Sequence, residues 1–218
     1  MRRDIFTSAI AVVVLTVLLG LVYPLGITGI SQVAFPHQAN GSQIMVNGKL
    51  VGSELIGQQF ADQVMKNGKP QVDKAHNPVT NPDPKYFQSR PSATVPPYNG
   101  ASTAFSNLGP NNVATEQAIA ANVQTYVGLE KPYVAGLTAS RVPVDAVNTS
   151  ASGVDPEISV ANADIQAPRI AALRHLPLAQ IKSLIAKYTR GRTLGIFGEP
   201  GVNALELNLA LNRASGGH

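Results

Sequence analysis

The sequence predicts an α+β extracytoplasmic domain attached to one N-terminal transmembrane helix, and three observations predict it. An uncharged apolar run, IFTSAIAVVVLTVLLGLVYPLGITGI, extends from Ile5 to Ile30. Arg2 and Arg3 precede that run, and no further basic residue occurs until Lys49. Beyond it, a hairpin signal and strand-like runs mix with stretches of helical period.

About 20 apolar residues cross a hydrocarbon core of roughly 30 Å, so the run can span with tilt to spare. A cleaved signal peptide would have a shorter apolar region and a small-residue cleavage site close behind it. Gly29-Ile30-Ser31-Gln32-Val33-Ala34 offers no A-x-A pattern, so a retained anchor is expected. Basic residues stay on the cytoplasmic side. Residues 1–4 are therefore expected inside, 5–30 in the bilayer and 31–218 outside. Tyr23-Pro24 predicts an interfacial aromatic and a kink, and Ser8, Gly20, Gly26 and Gly29 permit close contact with a partner helix.

After an exit loop from Phe35 to Ser42, Ile44-Met45-Val46 and Lys49-Leu50-Val51 flank Asn47-Gly48. That dipeptide signals a two-residue hairpin, because both turn positions need positive φ. Ser53 is expected to cap a short helix over Glu54–Phe60. From Asn67 to Pro110 the chain is rich in Pro, Asn, Gly and Ser, yet Tyr86, Phe87, Tyr98 and Phe105 punctuate it, which predicts an ordered excursion pinned by rings. Ala114–Val127 places Ile119, Val123 and Tyr126 on one helical face. Ser159 is read as the cap of a helix reaching about Leu176, bent at Pro168, and Pro177 opens another over Leu178–Tyr188. Thr193–Phe197 reads as a strand. Leu205, Leu207, Leu209 and Leu211 alternate with other residues and predict a second.

Composition removes several classes of function. There is no cysteine, which excludes disulfides, thiolate metal sites and cysteine nucleophiles. The balance of 17 Lys+Arg against 13 Asp+Glu is too weak and scattered for a nucleic-acid footprint. His37, His76, His175 and His218 share no metal-ligand spacing, and no serine sits in a G-x-S-x-G frame. Gly195-x-x-Gly198 lacks the Lys-Ser/Thr of a phosphate-binding loop.

Five segments then stand out together: YFQSRPSA (Tyr86–Ala93), SNLGPNN (Ser106–Asn112), VPVDAV running into TSASGVDPEIS (Val142–Ser159), QAPRIA (Gln166–Ala171) and GEPGVNALELNLAL (Gly198–Leu211). In order and spacing, with the N-terminal span and LIGQQF, the chain resembles the C subunit of the Kdp-type potassium-transporting ATPase over nearly its whole length. Two positions depart from that pattern: Glu157 stands where a neutral or basic residue is often seen, and Gly201 replaces a more common side chain.

The resemblance implies a non-catalytic accessory subunit of a high-affinity potassium importer in the cell (inner) membrane. Its implied partners are a channel-like, potassium-selective A subunit, a P-type ATPase B subunit, a small F peptide and the lipid bilayer. ATP and Mg act at the B subunit, and potassium is the transported ion. The family is often assigned a second role, as a catalytic chaperone raising the ATP affinity of the B subunit, with a functional glutamine in the region of Gln166. A folded polar domain outside the membrane cannot reach cytoplasmic nucleotide. The orientation therefore favours a cap on the outer mouth of the A subunit, with any effect on ATP affinity indirect.

Candidate interaction residues within these segments are Tyr86, Ser89, Arg90, Asn107, Ser150, Ser152, Asp155, Gln166 and Arg169. The charged ones have a plainer alternative. Asp155 and Glu157 can attract cations or a partner, or can stabilise a helix N-terminus by about 0.3–1 kcal/mol each. Arg90 can bridge to a partner or tie its own loop through backbone carbonyls. Arg169 and Arg174 fall on a helix, where a solvated or intramolecular pair is the ordinary outcome.

Overall fold

The computed structural model describes residues 2–66, 68–72, 79–102, 108–109 and 111–216. The chain divides into two compact units, Met1–Ser53 and Glu54–His218.

The first unit opens with α1 (Arg2–Val17), a π-helical turn (Leu18–Val22) and α2 (Tyr23–Ala34). They run on as one helix of 33 residues with no buried side chain. At 1.5 Å per residue this is about 50 Å, longer than a hydrocarbon core. The π turn falls just before Pro24, which has no N–H to give the preceding turn; a widened turn is one way a helix accommodates that loss. The helix stops at Phe35, and Pro36 starts the single turn of α3 (Pro36–Ala39). β1 (Gln43–Val46) and β2 (Lys49–Ser53) pair antiparallel. Asn47 and Gly48 between them take φ of +51° and +75°, as the turn requires.

The second unit is α+β. β3 (Ala61–Gln63) pairs with β6 (Thr80–Pro82), and β4 (Met65–Lys66) pairs with β5 (Lys69–Pro70). Asn112 caps α4 (Val113–Glu130) by accepting from the Ala114 amide at 2.9 Å. β7 (Glu157–Ser159) leads directly into α5 (Val160–Arg174), whose cap is Ser159, accepting from the Asn162 amide at 3.1 Å. His175, at φ +54°, ends that helix, and Leu176 N–H reaches back to Ala171 O at 3.0 Å. α6 (Leu178–Lys187), β8 (Thr189–Arg190), β9 (Gly201–Asn203) and α7 (Ala204–Ala214) complete the chain. The sheet order is β7-β9-β8, all antiparallel. Its Ile158 and Val202 meet Ile170, Ile181, Ile185, Leu207 and Leu211 from the three helices, and Phe87 from the long excursion joins this core.

Three expectations are corrected. Glu54–Phe60 is a turn followed by extended chain, not a helix. The Gly57 amide is drawn to Val154 O at 2.9 Å, and the Ser53 hydroxyl donates to Gly41 O at 2.7 Å instead of capping. Thr193–Phe197 is not a strand but a tight turn closed by a single bridge between its end residues. In Val202–Leu211 only the first two residues are strand, and the rest is α7. Asn203 caps that helix through the Glu206 amide at 3.0 Å. The buried positions Ala204, Leu207, Asn208 and Leu211 follow i, i+3, i+4, i+7, so the alternating leucines coincided with a helical face that includes a polar residue.

Candidate functional site

The YFQSRPSA segment has no regular secondary structure, so its backbone groups need partners from elsewhere. Two buried side-chain amides supply them. Asn208 of α7 accepts from Phe87 N–H at 2.9 Å and donates to Phe87 O at 2.9 Å. Gln166 of α5 accepts from Gln88 N–H at 2.7 Å and donates to Gln88 O at 3.1 Å. Each amide pairs with one residue in both directions, as a neighbouring strand would, and anchors an irregular chain in the core.

Gln166 belongs to a longer buried network. Its amide also donates to Asn162 Oδ1 at 2.9 Å, which receives the Tyr126 hydroxyl at 2.8 Å. Asn162 Nδ2 donates to Asp145 Oδ2 at 2.9 Å, and Asp145 takes both the amide and the hydroxyl of Ser159 at 2.8 Å. On the other side Arg169 donates to Gln166 Oε1 and to Glu130 Oε1, each at 2.9 Å. It also donates to Pro84 O and Tyr86 O. Arg169 and Glu130 are both fully buried. Glu130 Oε2 and Arg174 Nη2 make no hydrogen bond among the described residues.

Burial controls the titration of this network. It pushes the Glu130 carboxyl up from 4.5 to about 7, with Arg169 pulling back. It also holds the Tyr126 hydroxyl far above its ordinary range, reinforced by Glu130.

A second cluster fastens the TSASGVDPEIS loop. Arg90 Nε and Nη2 donate to Asn148 O and Thr149 O at 3.0 and 3.1 Å, and Nη1 lies 3.4 Å from Asp155 Oδ2. The Ser92 hydroxyl donates to Gly153 O at 2.5 Å. Ser150 Oγ accepts from Gly153 N–H at 2.9 Å, Ser152 Oγ from Val154 N–H at 3.3 Å and Asp155 Oδ1 from Glu157 N–H at 3.0 Å. The Ser89 hydroxyl holds Gln58 O at 2.9 Å, and the Tyr98 hydroxyl donates to Arg90 O. Burial raises the Tyr98 hydroxyl well beyond its usual range.

The sequence-predicted residues thus fall in two internal clusters rather than one open site. Gln166 and Arg169 brace the core. Arg90, Ser89, Ser150, Ser152 and Asp155 lock two loops together, and of the two roles open to Arg90 the backbone-tying one is observed. Tyr86 stacks on Phe60 at 5.4 Å, with the Arg174 guanidinium 4.4 Å over its ring. Asn107, Phe105, His76 and His218 lie outside the described residues. Asp155 and Glu157 do not stabilise a helix N-terminus, because β7 separates Asp155 from Ser159 and Glu157 lies within that strand. Asp145, unmarked in the sequence reading, occupies that place. Arg169 is an intramolecular pair, fully buried rather than solvated. Asn208, Glu130 and Asn162 were also missed; an asparagine on the buried face of a leucine-rich helix was the available signal.

Among the described residues no group of three His, Cys, Asp or Glu is placed to hold a metal. A cavity of about 180 Å³ opens beside the motif, lined by Gln58, Phe60, Gln88, Ser89, Ser92 and Tyr98. That is below the roughly 300–1,000 Å³ common for organic ligands.

An apolar helix long enough to cross a bilayer, followed by an α+β unit whose polar residues brace its own loops, is consistent with the class of single-pass membrane proteins. The family described as K+-transporting ATPase, c chain, matches residues 5–213. The chain is 44% identical over 215 residues, 99% of each chain, to a potassium-transporting ATPase KdpC subunit of Bradyrhizobium diazoefficiens. It is 43% identical over 204 residues, 93% of each chain, to one from Dechloromonas aromatica, and 44% identical over 205 residues, 94% of each, to one from Methylobacterium nodulans. The chain belongs to the KdpC family of potassium-transporting ATPase subunits.

Proposed function

We propose that this chain is a non-catalytic accessory subunit of an ATP-driven, high-affinity potassium importer, needed for its assembly and activity. Its N-terminal helix anchors it in the cell membrane beside the potassium-selective A subunit. Residues 31–218 lie on the outer face and cap the outer mouth of that subunit, while the B subunit hydrolyses ATP and the F peptide stabilises the assembly. The observation that carries this reading is Arg2-Arg3 at the head of a 33-residue apolar helix in a chain that matches the family over residues 5–213. Basic residues retained in the cytoplasm direct everything after the helix outward. The inward-turned polar side chains of the motif segments support a rigid, shaped body.

The test adds protease to intact spheroplasts carrying a C-terminally tagged chain. Cleavage without lysis, together with loss of potassium uptake at low external potassium in a deletion strain, is expected. Protection of the tag until lysis overturns the outer placement and favours direct action on the ATP site of the B subunit.

A further inference from the structure

The backbone of the long apolar helix is short of a hydrogen-bond donor at its π turn. The Tyr23 N–H bonds Leu18 O, five residues back, where an α-helix would send it to Leu19 O. The next residue, Pro24, has no N–H. Leu19 O thus loses its α donor to the widened turn, and the donor that the widening would bring next is the missing one. Gly20 O loses its α donor as well, since that donor is also Pro24. No side chain of the helix takes their place. A Ser or Thr bonds back to the carbonyl three or four positions earlier, and the positions that far beyond Leu19 and Gly20 hold Val22, Tyr23 and Pro24.

Depth decides what must satisfy these carbonyls. Gly20 stands 15 residues after Ile5 and 10 before Ile30, so about 15 Å or more of apolar helix separates it from either end of the run. In hydrocarbon no water is at hand, and a carbonyl freed by proline is paired by a neighbouring helix. Gly20 leaves the way open: nothing lies within 4 Å of where its Cβ would stand, and a glycine lets a second backbone come close. The partner therefore carries a hydroxyl or carboxamide at this depth. Polar side chains inside a membrane are uncommon and mark ion pathways, which points to the ion-conducting subunit among the implied partners.

We propose that the Leu19 and Gly20 carbonyls accept a hydrogen bond from a hydroxyl or carboxamide side chain on a transmembrane helix of the potassium-selective A subunit, packed against Gly20. The proposal rests on the subunit reading given above and adds the depth, the acceptors and the donor chemistry of the contact.

The experiment uses the full chain, tagged and produced with the other transporter subunits, with Leu19 replaced by the photoreactive benzoyl-phenylalanine. Irradiated membranes are expected to yield an adduct with the A subunit. In parallel, recovery of the A subunit from detergent is measured for two variants at equal amounts of membrane-inserted chain. Pro24→Ala restores the missing N–H, so the helix pairs its own carbonyl and recovery should fall about threefold, the usual weight of one interhelical hydrogen bond in a bilayer. A proline that only shapes the helix would leave recovery unchanged on removal. Gly20→Leu blocks the close approach and should lower recovery at least about tenfold. Recovery by either variant equal to that of the unaltered chain overturns the contact. So do adducts only with lipid, with a second copy of this chain or with a subunit other than A. If the unaltered chain recovers no A subunit, the subunit reading falls and the contact with it.

Discussion

Gly57 has no room for a side chain. A Cβ there would lie 2.6 Å from the Tyr98 ring and 2.7 Å from Asp155 O, a wall of aromatic and backbone atoms. Gly57→Ala is expected to cost about 1–3 kcal/mol, read as a shift of the denaturant midpoint in detergent. Gly201 behaves differently, because its hypothetical Cβ would meet the Glu157 side chain, 2.5 Å from Oε2. Glu157 and Gly201 are therefore linked in space: one side chain lies where the other position has none. Gly201→Ala should destabilise less when combined with Glu157→Ala, and a double-mutant cycle reads the coupling. At Gln166, truncation to alanine removes the partner of the half-buried Gln88 amide and carbonyl, and about 1–3 kcal/mol in total is expected. Glu130 sets a pH dependence. Its carboxyl titrates near 4.5 when unfolded and at about 7 when folded, so the folded state binds its proton more tightly. The stability it contributes is full below pH 4.5 and lost as pH rises to about 7. Urea unfolding across that window should show the decline, and Glu130→Gln should remove it.

At the scale of elements, α7 shows how far local signals reach. Asn203 caps it through the Glu206 amide and also donates to Glu54 O at 2.8 Å. Asn203→Ala is expected to cost about 1–2 kcal/mol by chemical denaturation, and Asn203→Asp is not expected to rescue it at neutral pH, since the carboxylate keeps the cap but buries a charge and faces Glu54 O with an oxygen. The cap at Ser159 was read from the sequence, whereas those at Asn203 and Asn112 were not, although Asn203 with a glutamate three residues on was an available signal. The period-two run of leucines was also legible and pointed the wrong way, because burial of Ala204 and Asn208 is decided by what packs against them. Asn208 is buried because it pairs with Phe87, 121 residues earlier, and no local pattern encodes that pairing. The same holds for Glu54–Phe60, where contacts with Tyr98 and residues 154–155 outweigh helix propensity.

For the whole molecule, the division at Ser53 leaves a unit from Glu54 onward that contains the core cluster and both polar clusters. A chain starting at Glu54 is expected to unfold cooperatively without membrane or detergent, checked by circular dichroism on heating. On the orientation proposed above, the signal resides in Arg2 and Arg3. Changing Arg2 and Arg3 to glutamate should move a C-terminal reporter toward the cytosolic side in a measurable fraction of molecules.

The sequence by itself determined the apolar helix, the Asn47-Gly48 hairpin, the capped helices and, through its motif segments, the family, because each depends on residues close together in the chain. Only the tertiary structure decided what the motif side chains do. Gln166, Arg169 and Arg90 face inward to satisfy backbone groups 58 to 85 positions away, because a buried irregular segment must find hydrogen-bond partners wherever the fold brings them.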